Sequence, residues 1–376
     1  MTASLVEPVV IAHRGVPGER LEHTRPSYLL GIEQGADFIE PDVVATKDHV
    51  LVVRHENEIG GTTDVAAHPE FAHLRTTKFI DGVPLTGWFT EDFTLAEIKT
   101  LRTMERLPQL RPQNLPLSGL EPILTLDEVI DIAEAENARR GPGVEPVGVY
   151  VETKHPTYFR SIGMDLNVLL LEVLERRGLN QEGAKVWIQS METANLRALR
   201  PLTPLPLIQL MERKGGPYDL VATYDPRDYA ALTRPAELAK IAEYAQGIGP
   251  NKSLVIARGR DQTLLDETDL VRDAHEVGLL VHIWTMRNEN NFLPRQLRTS
   301  QDTAAPGDAT AELLAFFAAG VDGVFSDFTR TAVAARAVHL SSAGPTGSAP
   351  APGAGAATRP GRPGAWCPRR PRPARP

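Results

Sequence analysis

The chain has 376 residues, 42% hydrophobic and 23% charged, which excludes a wholly disordered or fibrous protein and suits one large barrel or two domains. One cysteine, Cys367, excludes an intramolecular disulfide framework and a cysteine-rich zinc site. The net charge of -8 is a sum of unlike parts: Ser341 to Pro376 hold six arginines and no acid, so residues 1–340 carry 34 basic against 48 acidic side chains, which argues against a broad nucleic-acid surface.

The chain opens on Met-Thr-Ala-Ser-Leu-Val-Glu and runs into the apolar Val9–His13, a strand. The opening carries no basic and long apolar segment of the secretory kind, so the default expectation is a cytoplasmic protein. No apolar run approaches the roughly 18 residues that cross a bilayer, and no integral membrane segment is expected. Arg25–Gln34 reads as a helix, with Tyr28, Leu29 and Ile32 on one face. Phe38–Val43 is a second strand and Val50–His55 a short extended run. Residues 57–118 lose the rhythm and are rich in Thr, Pro and Gly, with one helical stretch near Leu95–Thr103. A structureless loop of that length is improbable in a compact barrel, so the segment reads as a small inserted subdomain or lid.

The alternation resumes at Thr125, which starts a helix with Asp127 and Glu128 in its first turn. Strands follow at Val147–Glu152, Lys185–Ser190, Leu205–Leu210, Gly247–Gly249, Leu279–Thr285 and Val321–Phe325. The helices between and after them are Met164–Arg177, one from Thr193, Pro235–Tyr244, Leu264–Val277, Ala309–Ala319 and Thr329–Val338. Such alternation implies parallel pairing with right-handed crossovers. Eight units predict an α/β fold, a (β/α)8 TIM-type barrel over residues 1–340. An open doubly wound sheet is the runner-up, weakened because no Gly-x-Gly-x-x-Gly follows the first strand. Residues 341–376 hold nine prolines and six glycines and predict a disordered Pro/Gly/Ala/Arg-rich tail without a catalytic role.

Catalytic groups of such barrels sit at the C-terminal strand ends. Those ends read His13-Arg14, Glu40-x-Asp42, His55, Glu152-x-Lys154, Gln189-Ser190, Trp284 and Ser326-Asp327. Glu40 and Asp42, two apart on one strand, share a face and repel unless a cation or proton sits between them. With Glu152 they form a three-oxygen set suited to a hard cation, Ca2+ or Mg2+. Structural ion pairs with Arg14 and Lys154 are a reading of nearly equal weight. His13 and His55 suit a general acid–base pair. Arg14 suits a phosphate oxygen, and Lys154 a phosphate or a Schiff base. His23, His49, His68, His73, His155, His275 and His282 are read as structural or merely exposed.

These residues carry a resemblance. Ile11-Ala-His-Arg-Gly15, Glu22-His-Thr24, Gly35-Ala-Asp-Phe-Ile-Glu-Pro-Asp42, Thr46-Lys-Asp48, Val53-Arg-His-Glu-Asn57 and Gly61-Thr-Thr-Asp64 are similar to the glycerophosphodiester phosphodiesterase family. Val151-Glu-Thr-Lys154, Ile188-Gln-Ser190, Ile283-Trp-Thr285 and Asp322-Gly-Val-Phe-Ser-Asp327 extend the likeness to residues 9–330. The resemblance implies a (β/α)8 barrel with a small insertion. It also implies Glu40, Asp42 and Glu152 as ligands of a divalent cation, usually calcium or magnesium. By the same likeness His13 and His55 are the acid–base pair, Arg14 and Lys154 hold phosphate, and Trp284 lines the glycerol or alcohol pocket. The implied partner is a small glycerophosphodiester, cleaved to glycerol 3-phosphate and an alcohol. His23 departs from the family's frequent Asn, which touches local pocket polarity. Alternatives are phospholipase D-like action on lysophospholipids, a Lys154 Schiff-base lyase, and a non-catalytic binding protein.

Overall fold

The computed structural model describes residues 7–342. Apolar runs bounded by polar residues become buried parallel strands: Val9–His13, Phe38–Glu40, Asp42–Ala45, Gly148–Thr153, Val186–Ser190, Leu207–Met211, Gly247–Pro250, Leu280–Met286 and Gly323–Ser326. The sheet closes on itself. Val9–His13 pairs with Gly323–Ser326 on one side and Phe38–Glu40 on the other, and Phe38–Glu40 pairs onward with Gly148–Thr153. Phe38–Glu40 and Asp42–Ala45 occupy one position of the ring in succession, so the ring is an eight-strand barrel with helices outside it. The expected single strand Phe38–Val43 is therefore broken at Pro41, which has no N–H to give to a ladder.

The outer helices form where apolar spacing permits. Leu166–Arg176 is capped by Asp165, whose side chain accepts from the Asn167 N–H, and it buries Leu166, Leu170, Leu171, Val173 and Leu174 on one face. Each such leucine is worth about 1.5–3 kcal/mol of transfer free energy. Thr125 and Glu128 form a capping box at the start of Leu126–Arg140. Inside the barrel, Phe38, Tyr150, Trp187, His282 and Phe325 stack into an aromatic floor, with ring centroids 5.0 Å apart for Trp187–His282 and 5.1 Å for Tyr150–Phe325. Gly148 makes room for it, since a Cβ there would lie 2.3 Å from the Phe38 ring.

Four further expectations need correction. Leu264–Val277 is not one helix: Leu264–Glu267 is a strand that pairs antiparallel with Ile256–Arg258, and the helix is Leu270–Glu276. The bulky Leu264-Leu265 pair sits in a hairpin whose acidic end, Asp266-Glu267, precedes the helix. Val50–His55 contributes only Leu51–Val53, antiparallel to Asp42–Ala45 and outside the ring. Within 57–118 the helical stretch is only Leu95–Ile98, and the segment also holds a hairpin, Thr76–Ile80 with Val83–Gly87, which the Thr/Gly-rich composition concealed. The last helix runs from Thr329 to Ser342, two residues into the expected tail; the rest of that tail lies outside the described residues. Among the described residues, no helix is long and apolar enough to cross a membrane.

Candidate active site

His13, Arg14, Glu40, His55, Glu152 and Lys154 line one cavity of about 780 Å³ at the C-terminal ends of the strands, and Trp284 lines it further along. Strand register brings the carboxylates together. Glu40 is the parallel partner of His13, and Asp42 is the parallel partner of Glu152. Arg14 follows its strand in a left-handed conformation, φ 57°, and Gly15 continues the turn at φ 89°. A Cβ on Gly15 would lie 2.4 Å from Ser27 Oγ, so the turn requires glycine. The turn aims the Arg14 N–H at Glu40 Oε2, 2.7 Å away.

Glu40, Asp42 and Glu152 each present an oxygen within 4.8 Å of the others, and all three are buried. Asp42 Oδ1 has no hydrogen-bond partner among the described residues. A buried carboxylate oxygen left free is costly unless something binds it. Burial, then Asp42 and Glu152, push the Glu40 carboxyl well above its ordinary value. Burial also pushes Glu152 up to about 7, against the pull of Lys154. Burial opposes charge on Asp42 as well, but the His23 hydrogen bond and Lys154 outweigh it and hold Asp42 well below the carboxylate range. Three crowded carboxylates in this state are completed by protons or by a cation, and an all-oxygen set fits a hard divalent ion.

The ion pairs offered as the structural reading are present beside this set. Lys154 Nζ lies 2.7 Å from Glu152 Oε1, and Arg14 Nε lies 3.3 Å from Asp42 Oδ2, though out of line for a hydrogen bond. They leave Asp42 Oδ1 free, so they do not exhaust the cluster's bonding. Gln189 Nε2 donates to Glu40 Oε1 at 3.0 Å.

The two histidines are built alike. His13 Nδ1 is held by Asp327 Oδ1 at 2.6 Å, and His55 Nδ1 by Glu56 Oε1 at 2.5 Å. Burial, with the Arg14 charge, pulls His13 down to about 4 in spite of Asp327. Burial, then Arg14 and Lys154, pull His55 down to about 3. Lys154 Nζ lies 3.2 Å from His55 Nε2, so this nitrogen faces a donor. Both imidazoles are therefore neutral near pH 7, each with a carboxylate fixing its Nδ1 side.

Behind each carboxylate stands an arginine from residues 105–112 that sequence reasoning missed. Arg106 bonds both oxygens of Glu56 and both oxygens of Glu22, at 2.7–2.9 Å. Arg111 joins Asp327 Oδ2 at 2.5 Å and Glu289 Oε1 at 2.7 Å, and Arg287 Nε also meets Asp327 Oδ2 at 2.8 Å. Glu22 reaches on to Arg14 at 3.2 Å and Arg54 at 3.4 Å. Glu22 and Asp327 lay within the motifs of the resemblance; Arg106 and Arg111 had no local signal.

His23 does not line the cavity. It is fully buried, with Nε2 3.0 Å from Asp42 Oδ2 and Nδ1 2.8 Å from the Tyr28 hydroxyl. Its departure from the family pattern thus bears on the seating of Asp42 and not on pocket polarity. His282 is likewise buried, with Nδ1 3.0 Å from the Tyr150 hydroxyl.

A closed eight-strand parallel barrel thus carries paired carboxylate-held histidines, an oxygen cluster and two cations at its C-terminal mouth, where barrel enzymes place their active sites. Residues 13–331 match the model of the glycerophosphoryl diester phosphodiesterase family, and the chain belongs to that family of phosphoric diester hydrolases. It is 37% identical over 335 residues to the glycerophosphodiester phosphodiesterase GDPD6 of Arabidopsis thaliana, covering 86% of this chain and 84% of that one. It is 27% identical over 350 residues to the glycerophosphodiester phosphodiesterase of Haemophilus influenzae, with 87% and 89% covered. The fold is similar to that of an Oleispira antarctica phosphodiesterase solved with its product sn-glycerol-3-phosphate, at TM-score 0.56 and 20% identity, covering 87% of this chain and 96% of that one.

Proposed function

We propose that the protein hydrolyses glycerophosphodiesters to sn-glycerol 3-phosphate and an alcohol, with a divalent cation, Ca2+ or Mg2+, held by Glu40, Asp42 and Glu152. The single observation that carries the reading is the pairing of two carboxylate-held histidines, His13 and His55, in the same cavity as that oxygen cluster. The product bound to the Oleispira antarctica relative supports the glycerol phosphate half of the assignment.

A phosphodiester anion repels an attacking oxygen, and charge builds on its non-bridging oxygens as the bond forms. When bound, the cation supplies Lewis-acid stabilisation of that charge. Arg14 and Lys154 line the same cavity and act as fixed cations on the phosphate oxygens. In the free site Arg14 disfavours the charged form of both imidazoles, and Lys154 that of His55. The substrate's own negative charge offsets these cations and allows one imidazole to hold a proton. One histidine then takes the proton of the attacking hydroxyl, either the glycerol 2-hydroxyl or water. The other gives a proton to the leaving alcohol oxygen as its bond to phosphorus breaks. Trp284 fixes one wall of the alcohol pocket, its indole N–H anchored 2.7 Å from the Gly249 carbonyl.

A Schiff-base role for Lys154 is disfavoured by its surroundings. Burial works against its ammonium, but Glu152 and Asp42 outweigh it and raise its pKa, so the free amine such chemistry needs is scarce.

The test is release of glycerol 3-phosphate from glycerophosphocholine with and without EDTA. His13→Ala and His55→Ala should each lower kcat by about 10²–10⁴-fold. Near-full activity in both variants would overturn the acid–base assignment.

A further inference from the structure

The cavity is lined by more than the residues assigned to the phosphate. The same cavity is lined by Lys252 and Arg258, which meet at Glu312. Glu312 lies on the helix Ala309–Ala318 and is fully buried. Lys252 Nζ is 2.8 Å from its Oε2, and Arg258 Nη2 is 2.9 Å from its Oε1. Arg258 is carried by the antiparallel hairpin that replaces the expected helix at this mouth of the barrel. Two largely buried cations therefore share one carboxylate, and among the described residues neither has another ion-pair partner.

The neighbouring charges do not supply one. Glu212 and Arg213, which also line the cavity, add one charge of each sign and leave the excess unchanged; Glu212 Oε1 accepts from Asn251 Nδ2 at 2.9 Å and from the Arg213 backbone N–H, and Arg287 is committed to Asp327 at 2.8 Å. One aromatic ring here is already covered by a cation: the Arg287 guanidinium lies 4.4 Å from the centroid of Phe292. A quaternary ammonium would find like charge at Lys252 and Arg258. An anion would find Lys252 and Arg258 with donors to spare, in surroundings where burial strengthens charge pairing.

We propose that this end of the cavity is the subsite for the leaving alcohol, and that it selects alcohols bearing their own negative charge, such as a second phosphate. The inference rests on the phosphodiesterase reading above and names the substrate class within it. Burial pulls the Lys252 ammonium below its ordinary value, as expected of a second cation beside one carboxylate; an anionic head group relieves that strain.

Glycerophosphoinositol 4-phosphate and glycerophosphocholine are the probes, compared in the wild-type enzyme, in Lys252→Met and in Arg258→Met. Each variant removes the unmatched charge yet leaves Glu312 one partner, so neither strands a buried carboxylate, and thermal melting checks folding. The ratio of kcat/KM, anionic over cationic substrate, should exceed about tenfold in the wild type and fall about tenfold in both variants, the worth of one enclosed charge pair. A ratio near one, or one that neither variant moves, overturns the subsite while leaving the phosphodiesterase reading intact. Calorimetric binding of the same two probes with EDTA present separates the two failures. A binding preference lost in Lys252→Met, without turnover of either probe, keeps the subsite and overturns the hydrolytic reading. Equal binding of the two probes in all three proteins overturns the subsite.

Discussion

Arg106 and Glu56 are joined by two hydrogen bonds, Nη1 to Oε1 at 2.9 Å and Nη2 to Oε2 at 2.7 Å, and Glu56 Oε1 in turn holds His55 Nδ1. The guanidinium fixes the carboxylate in its plane, and the carboxylate fixes the imidazole. Without Arg106 the carboxylate is free to turn. Arg106→Gln should lower kcat by about 10–100-fold, the cost of a misplaced catalytic group, with a much smaller change in KM. Arg106→Lys should recover only part of it, because an ammonium cannot grip both oxygens. Added guanidinium should partly rescue Arg106→Ala. A kcat unchanged by the Gln variant would sink the positioning role.

Asp327 has the matching task for His13, but it also neutralises two arginines. Arg111 and Arg287 both end on its Oδ2, and it is almost fully buried. Burial opposes its charge, yet Arg287, Arg111 and His13 outweigh this and hold it well below the carboxylate range. Asp327→Asn removes the charge between two buried guanidiniums, so it should cost about 3–5 kcal/mol in stability besides activity. Urea denaturation measures the first and turnover of glycerophosphocholine the second. Loss of activity at wild-type stability would separate the histidine contact from the arginine contacts.

His23 is a candidate support for the cation site, since its Nε2 meets Asp42 Oδ2 while Asp42 Oδ1 stays free. Groups behind a ligand usually set its orientation. His23→Ala should weaken Ca2+ or Mg2+ binding about 10–100-fold by calorimetry, and His23→Asn, which keeps a donor, should weaken it less. An affinity indifferent to both changes would mean Asp42 is seated by other contacts.

The elements that sequence made legible are those where one local signal decides. Apolar runs ending in polar residues marked the barrel strands, and Thr125 with Glu128 announced a helix start. His13, Glu40, Asp42, His55, Glu152 and Lys154 were legible because strand ends converge in a barrel, whatever the loops do. Arg106 and Arg111 were not. They come from a stretch with no periodicity, and their partners Glu56 and Asp327 lie 50 and 216 residues away. The strand Leu264–Glu267, which pairs with the strand holding Arg258, was read as the start of a helix because Leu264-Leu265 fits either period in a short window. Lys252 and Glu312 lie 60 residues apart, and no local signal joins them.

His282 should make the fold acid-sensitive. It lies in the barrel floor, stacked on Trp187 and hydrogen-bonded to the Tyr150 hydroxyl. Burial pulls its pKa down from 6.5 to about 4, so the folded state resists a proton that the unfolded chain accepts. The unfolded state binds more protons between these values, and stability therefore rises with pH across that window. The contribution is complete above pH 6.5 and is lost as pH falls toward 4. One pH unit corresponds to about 1.4 kcal/mol, so between pH 7 and pH 5 this residue should account for about 2 kcal/mol. His13 and His55 add terms of the same sign, so the wild type alone does not isolate it. The comparison is with His282→Gln, whose amide oxygen can still accept from Tyr150. Urea denaturation at pH 7 and pH 5 should show the variant losing about 2 kcal/mol less than the wild type. Identical losses would mean that the His282 environment does not exclude the proton, and that the acid slope belongs to the histidines at the mouth of the barrel.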